Sequence, residues 1–570
     1  MSRTRVSVLA LLAGGKPHDY LHMARPLLRA LEGTQHFHLD VVTDTHLPLD
    51  AGRAQGALLE RSQVLLVASD HHLLPGQAAQ LTEFVHRGGG LVLLHGTLAS
   101  WTETGELADL ARWAPSGPAP LTELVVRAEP SHPLTERLGP DLTLTDELYL
   151  SEGPPADAAV ILRTSWHFTE QVVAYERRFG AGRFIHVGLG HEPSTYEDAG
   201  FQKLMHRALL FAAGQEAGEP VGVGLIGYGA IARAHATSIS STTGLRLSGV
   251  CDVSSERRQL AAREWKVPTH SRAEDLFDDP DVGLVVVGTP PSAHAESVLA
   301  ALAAGKHVVC EKPFALRVEE VDRMIDAAVA GDRVLTVYQS RRWDPDYVAL
   351  REVVRSGRIG ELFYMESFIG GYSHPCDFWH SHEPISGGTI YDWGSHYFDW
   401  VLQLFPDTVK SVSAVGHKRV WHDVTNSDQV RVDLTFAGGA QASFLQSAIA
   451  AAMKPKWYLL GTLGALVGDW REETIKSRNP AGDLVEERLA PADSPARVKV
   501  MRPAADGGSH EEVLVLARRD EHAFYSNLAD HLAWDEPLAV PPDEARRTVA
   551  VMESAAHSIA RGGAQIEVHI

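Results

Sequence analysis

Cysteine is nearly missing from this 570-residue chain: only Cys251, Cys310 and Cys376 occur, and no two have CxxC spacing. So few cysteines exclude a disulfide framework and fit a reducing compartment, which makes the cytoplasm the expected location. Long apolar runs are missing too. No stretch reaches the roughly 18 continuous apolar residues of a membrane span. The short apolar run in MSRTRVSVLALLAGG leads into GKPHDY without a small-x-small cleavage site, so it reads as a buried first strand rather than a signal peptide. Positive charge is also scarce: 52 Lys and Arg face 73 Asp and Glu, a formal charge of −21. Binding to a phosphate backbone needs concentrated cations. Neither nucleic acid nor a membrane is expected as a partner.

What is present is enough chain for several cores. A domain per roughly 150 residues gives three or four units. The clearest boundary is Gly214-Gln215-Glu216-Ala217-Gly218-Glu219-Pro220, a polar stretch with Gly and Pro between an apolar helix and an apolar strand. The expected division is 1–214, a linker at 215–220, a nucleotide-binding domain at 221–340, and an α+β domain at 341–570. The low-hydrophobicity stretch from Thr474 to Gly508 reads as long loops or an irregular insertion.

The segment VGVGLIGYGAIARAHA reads as a buried strand, a Gly-x-Gly-x-x-Ala turn (Gly227, Gly229, Ala232) and a helix. Glycines there permit the tight turn and let backbone amides approach a pyrophosphate at the helix N-terminus. Ala230 and Ile231 complete the turn. A second strand, Leu245 to Val250, leads to Asp252, at the spacing where a carboxylate accepts hydrogen bonds from an adenosine ribose. The pattern continues as helix (Ser255 to Glu264), strand (Val282 to Val287), helix (Ala293 to Ala304) and strand (His307 to Cys310). Thr289, Pro290, His294, Glu311 and Lys312 then fall at or beyond strand carboxyl ends, where open α/β sheets bind ligands. A carboxylate at 252 repels a 2′-phosphate, which favours NAD; Arg257 and Ser254 nearby keep NADP possible.

Four ordered motifs, GLIGYGAIARAH, VVVGTPPSAHAE, GKHVVCEKPFA and GGTIYDWGSHYFDW, resemble the Gfo/Idh/MocA oxidoreductase family over roughly 221–570. The resemblance implies a Rossmann domain, then an α+β domain on a large, mostly antiparallel open sheet whose closing helix returns to the Rossmann domain. It implies NAD(P)-dependent oxidation or reduction of sugars and polyols, and a homo-oligomer, dimer or tetramer. Lys312, Asp392 and His396 match the family's Lys, Asp and His. Removing hydride from a secondary alcohol needs a base for the hydroxyl proton and a cation for the developing alkoxide. His396 is expected as the base, Lys312 as a contact to substrate oxygen and cofactor, and Asp392 as orienting His396 or binding a hydroxyl; four residues apart, the last two share a face if the segment is helical. Arg342, Trp343, Trp379, His380 and His382 are substrate-side candidates, since aromatic planes and polar forks suit hydroxyl-rich rings.

The first 214 residues alternate strand-like runs (Val6 to Leu12, Val64 to Ala68, Leu91 to Leu94, Phe184 to Val187) with helical ones (His22 to Leu31, Gln77 to Arg87, Phe201 to Ala213), indicating another α/β domain. SDHHLLPGQAAQLTEFVHRGGGLVLLHG, SHPLTERLG and HVGLGHEPSTYEDAGFQKLMHRALLFAAG resemble the trehalose-utilisation ThuA-like family, which implies a flavodoxin- or class I amidotransferase-like fold. An amidotransferase nucleophile would be a cysteine after the Leu91 to Leu94 strand, where this chain has His95-Gly96-Thr97. Thiol-based glutaminase chemistry is excluded. His18, His95, Glu147 and His191, with Asp19 and Asp146 nearby, are candidates for a sugar site or, since His and carboxylate suit divalent ions, a metal site; their dispersed spacing is no metal signature, and no metal is expected. Fusion to a sugar oxidoreductase suggests that the domain binds or acts on the same carbohydrate. A noncatalytic sugar-binding or oligomerisation module, and a nucleotide-responsive regulator without catalysis, are the alternatives.

Overall fold

The computed structural model describes all residues except 1–4, 16–17, 35, 45–55, 75, 103–106, 113–114, 137, 140, 152, 154, 217, 377, 472–473, 479–483, 489–492, 505 and 569. The chain divides into two compact units, Met1–Glu219 with Leu528–Pro537, and Pro220–Asn527 with Leu538–Ile570.

The first unit is built on a nine-stranded sheet. Five strands are parallel, in the order Phe37–Val42, Val6–Ala13, Val64–Ser69, Gly90–Leu94 and Gly182–Val187. Four antiparallel strands follow: Thr169–Phe179, Ala159–Trp166, Thr122–Ala128 and Leu142–Asp146. Successive residues of a strand point to opposite faces. Val8, Ala10 and Leu12 accordingly enter one apolar cluster with the helix Ala199–Ala212, and Leu9, Leu11 and Ala13 enter another with the helix Gln77–His86. Burial on both faces explains why these strands read as unbroken apolar runs. The segment Leu528–Pro537 supplies Asp530 and Glu536, which hold the fully buried Arg207 guanidinium at 3.0 and 2.6 Å.

The second unit contains two sheets. The first is six-stranded and wholly parallel, in the order Thr269–His270, Leu245–Cys251, Val221–Ile226, Leu284–Val287, His307–Cys310 and Leu335–Val337. The other has nine strands and is antiparallel except where Leu362–Gly370 runs parallel to Gln441–Ser447. Its strands alternate: Val430, Val432, Leu434 and Phe436 are buried and the residues between them are not. The helix Pro542–Ala560 packs on Val409–His417 and also reaches Val318–Gly331 beside the parallel sheet. The stretch expected as irregular contains strands. Thr474–Arg478 pairs with Leu484–Arg488, and Arg497–Pro503 joins the large sheet through Val498 and Val500. Two buried residues on a short strand make a weak period-two signal, hidden by the polar composition around it.

A buried ion pair braces the large sheet. Asp346 accepts hydrogen bonds from Lys456 Nζ at 2.6 Å and from the amides of Ala496 and Tyr347 at 2.8 and 2.9 Å. Burial pushes its carboxyl up, but the Lys456 cation and these donors more than offset that and hold it below the usual range. The associated stability is therefore present above the unfolded carboxylate pKa and lost as pH falls through the lowered folded value. Asp346→Ala strands the buried ammonium, and urea denaturation should register a loss of about 3–5 kcal/mol at neutral pH.

Candidate active site and an N-terminal histidine cluster

Both sheets of parallel strands end in polar chemistry. In the second unit a cleft of about 2040 Å³ opens at the carboxyl ends of the six-stranded sheet. Gly227 follows the strand Val221–Ile226 with φ +89°, and a Cβ there would lie 2.6 Å from the Gly288 carbonyl oxygen. Only glycine meets both demands. A Cβ on Gly229, by contrast, would meet no atom within 4 Å and would project into the cleft. Ala230 and Ile231 carry the wall to the helix Ala232–Ser241, whose N-terminus has no side-chain cap. The Ala232 amide bonds the Gly229 carbonyl at 3.2 Å, and the positive end of the helix at the cleft wall favours an anion.

Asp252 lies at the tip of the next strand, buried yet lining the cleft. Its oxygens accept the Tyr228 and Ser254 amides, each at 2.7 Å, and Arg257 approaches to 3.7 Å. Thr289 and Pro290 form the wall after the third strand, and Thr289 Oγ1 is buried with no hydrogen-bond partner among the described residues. An open glycine turn, a helix N-terminus with no side-chain cap, an acid on the second strand and an unpartnered hydroxyl fit a dinucleotide. Glu311 also lines the cleft, bonded to His235 Nε2 at 2.9 Å and to the Lys312 amide at 2.8 Å. Burial raises its carboxyl, but His235 and Lys312 outweigh burial and keep it below the usual range.

Beyond the sheet lie Lys312, Asp392 and His396, all lining the same cleft. Lys312 Nζ is 3.1 Å from Asp392 Oδ1. His396 is held differently from the expectation. Trp393 separates the one-turn helix Thr389–Asp392 from Gly394–Leu404, so the two residues do not belong to one continuous helix. The partner that orients His396 is Gln339, whose Oε1 lies 3.0 Å from Nδ1 and whose amide nitrogen donates to the Ser395 carbonyl at 3.0 Å. That second bond fixes which amide atom faces the imidazole, so Nδ1 carries the proton and Nε2 the lone pair. Burial, then the Lys312 and Arg341 cations, hold the imidazole well below its ordinary pKa. Gln339 lies two residues past the strand Leu335–Val337 and carries no motif, so nothing in the sequence singles it out.

Trp343, Trp379 and His380 line the cleft, with Trp379 and His380 stacked at 3.6 Å between centroids. Three expected contacts are corrected. Arg342 points away: Asp399 binds its guanidinium at 2.5 and 2.8 Å and Glu544 at 2.7 Å, so its neighbour Arg341 supplies the cation lining the cleft. His294 is fully buried, with its ring nitrogens 2.8 Å from the carbonyls of Pro313 and Thr289; it ties two cleft loops together from behind. His382 lies outside the lining as well.

In the first unit the same end of a parallel sheet gathers the other candidates. His18 follows Val6–Ala13, Asp70 follows Val64–Ser69, His95 follows Gly90–Leu94 and His191 follows Gly182–Val187. His95 occupies the strand-to-helix turn with φ +46°, a conformation uncommon for a non-glycine residue. Buried Asp146 accepts the amides of Gly190 and His191, each at 2.9 Å, and that of Glu147 at 2.8 Å. Burial, then His191 and His18, push the His95 imidazole down to about 3. Asp19 instead caps the helix Tyr20–Met23.

Residues 221–339 match the family described as oxidoreductase, NAD-binding Rossmann fold (GFO_IDH_MocA), and 347–467 match its C-terminal domain. The 1,5-anhydro-D-fructose reductase of Ensifer adhaerens is 30% identical over 264 residues, spanning 46% of this chain and 78% of that relative. This chain belongs to the Gfo/Idh/MocA oxidoreductase family. A second relative, the scyllo-inositol 2-dehydrogenase (NADP(+)) IolW of Bacillus subtilis (strain 168), is 26% identical across 50% of this chain and 79% of its own. In fold, the Gfo/Idh/MocA unit is similar to an NAD-binding protein from Listeria innocua, with a TM-score of 0.54 and 24% identity over 61% of this chain and 100% of that one. Residues 5–212 match the trehalose-utilisation family ThuA.

The Gfo/Idh/MocA cleft thus belongs to an NAD-binding enzyme, and its glycine turn is directly testable. Gly227→Val forces a β-branched residue into positive φ against a carbonyl; each 1–2 kcal/mol of such strain corresponds to roughly tenfold in affinity. Fluorescence titration with NADH should show binding weakened about tenfold or more, with far-UV dichroism unchanged.

Proposed function

We propose that the second unit transfers hydride between a secondary alcohol of a sugar or polyol and NAD, and that the first unit binds or acts on the same carbohydrate. The observation that carries the first part is the placing of a lysine, a neutral imidazole and a dinucleotide turn on one cleft. Trp343 and the stacked Trp379–His380 pair offer planes to a hydroxyl-rich ring. Relatives named for an anhydro-sugar and for an inositol support that substrate class. Asp252 favours NAD, because a carboxylate at the tip of the second strand repels a 2′-phosphate, while Arg257 at 3.7 Å leaves NADP as the second choice. The ThuA match and the polar strand ends support a carbohydrate role for the first unit.

Bound nicotinamide supplies or accepts the hydride. Gly227, Gly229 and Asp252 would hold the dinucleotide, with Thr289 closing one side. His396 Nε2 takes the hydroxyl proton, and Gln339 keeps that nitrogen unprotonated and directed. The cations that depress its pKa make it a reluctant base, so the Lys312 ammonium must neutralise the alkoxide as the proton leaves. Asp392 holds Lys312 in place. In the reverse direction the same imidazole returns the proton to the carbonyl oxygen.

Replacing His396 with Gln should lower kcat for polyol oxidation about 10²–10⁴-fold, with the NADH dissociation constant unchanged. Because the imidazole is depressed, the acid limb of wild-type kcat/KM should fall well below the usual histidine range near 6.5. A limb at or above that range would contradict His396 as the base.

A further inference from the structure

Three imidazoles of the first unit meet edge-on, their planes inclined to one another by 63–82°. His18 Nε2 lies 3.0 Å from His191 Nδ1, which lies 3.3 Å from His95 Nε2. All three ligand atoms are within 4.8 Å of one another. Glu147 Oε1 stands 3.7 Å from His95 Nε2 and 3.8 Å from His191 Nδ1. Nitrogens on a tetrahedral zinc ion, bound at 2.0–2.1 Å, are about 3.4 Å apart, so the two short edges nearly match such a site without a metal to draw them in.

The protons argue the same way. Asp70 Oδ2 lies 2.8 Å from His18 Nδ1, while its other oxygen accepts the Tyr20 hydroxyl at 2.9 Å. His18 therefore donates through Nδ1 and turns the Nε2 lone pair to the centre. With neutral rings, the single proton or lone pair on His191 Nδ1 serves at most one of its two neighbours. A central cation satisfies all three nitrogens at once. The carboxylate behind His18 is the arrangement that orients metal-bound imidazoles.

We infer that His18, His95 and His191 bind one divalent transition ion of the zinc class, with Glu147 completing the set. Three imidazoles and a carboxylate suit Zn²⁺, Co²⁺ and similar ions over Mg²⁺ or Ca²⁺, which prefer all-oxygen sites. His95 is fully buried, but the His18, Glu147 and His191 side chains remain 15–21% exposed, so water or a ligand hydroxyl or carbonyl oxygen can reach the ion. The ligands come from four separate stretches of sequence, which is why no short-range spacing betrays them. The inference does not depend on hydride transfer in the other unit.

The test uses the full chain, stripped with chelator and titrated with Co²⁺, then with Zn²⁺ in competition. The expected result is one Co²⁺ per chain with the intense visible bands of a low-coordinate site, displaced by Zn²⁺. His95→Ala and His191→Ala should each abolish those bands while far-UV dichroism and the thermal unfolding of the first unit match wild type, showing that this unit remains folded. Asp70→Asn should weaken Co²⁺ about 10–100-fold at unchanged stoichiometry, a readout that survives even if a histidine variant misfolds. Wild-type protein taking up no Co²⁺ or Zn²⁺ above the buffer blank, or binding unaltered in the folded histidine variants, would overturn the site.

Discussion

Strands buried on both faces leave little room for polar groups that must meet a ligand except at their ends, and this constraint organises both units. Val64–Ser69 and Gly182–Val187 are buried along their whole length, as is Leu284–Val287. Burying an unpaired polar group costs several kcal/mol, so the chain carries its binding positions one residue or a few beyond the last residue of each strand. In the second unit these are Gly227, Asp252, Thr289, Glu311 and Lys312; in the first they are His18, Asp70, His95 and His191. Parallel register then brings residues far apart in sequence to one edge.

Within the cleft, charge decides the roles. Asp392 is committed to Lys312, and neutral Gln339, rather than a carboxylate, positions His396. Two cations hold the imidazole well below its ordinary pKa, and in the proposed reaction it is an acceptor whose reluctance is overcome only when an alkoxide forms next to Lys312. Arg342 shows the opposite use of charge: tied to Asp399 and Glu544, it braces the structure behind the cleft while Arg341 faces into it.

Legibility in the sequence follows the range of the interaction. The Gly-x-Gly turn, Asp252 and the alternating strands and helices are local, and their physics can be read from neighbouring residues. The α/β architecture and the oxidoreductase assignment rest on such local signals. Gln339 and the choice between Arg341 and Arg342 depend on which side chain a turn happens to point inward. The break at Trp393 interrupts what reads as one helix, and the Arg497–Pro503 strand is defined by pairing with Gly464–Asp469 on one side and Ser509–Val513 on the other. The three histidines are 77 and 96 residues apart in sequence and meet only through the order of parallel strands, which no window along the chain contains.

The central claim is that this cleft moves hydride from a carbinol carbon of a polyhydroxylated ring to NAD. It is tested most directly by incubating the full chain and NAD with cyclic polyols and sugars deuterated at their carbinol carbons, then measuring deuterium in the reduced nicotinamide by mass spectrometry. The account predicts transfer of one deuterium, as deuteride, per turnover from at least one ring carbinol, slowed about 10²–10⁴-fold in His396→Gln. Tight NAD binding with no deuterium transferred from any of these compounds would contradict it.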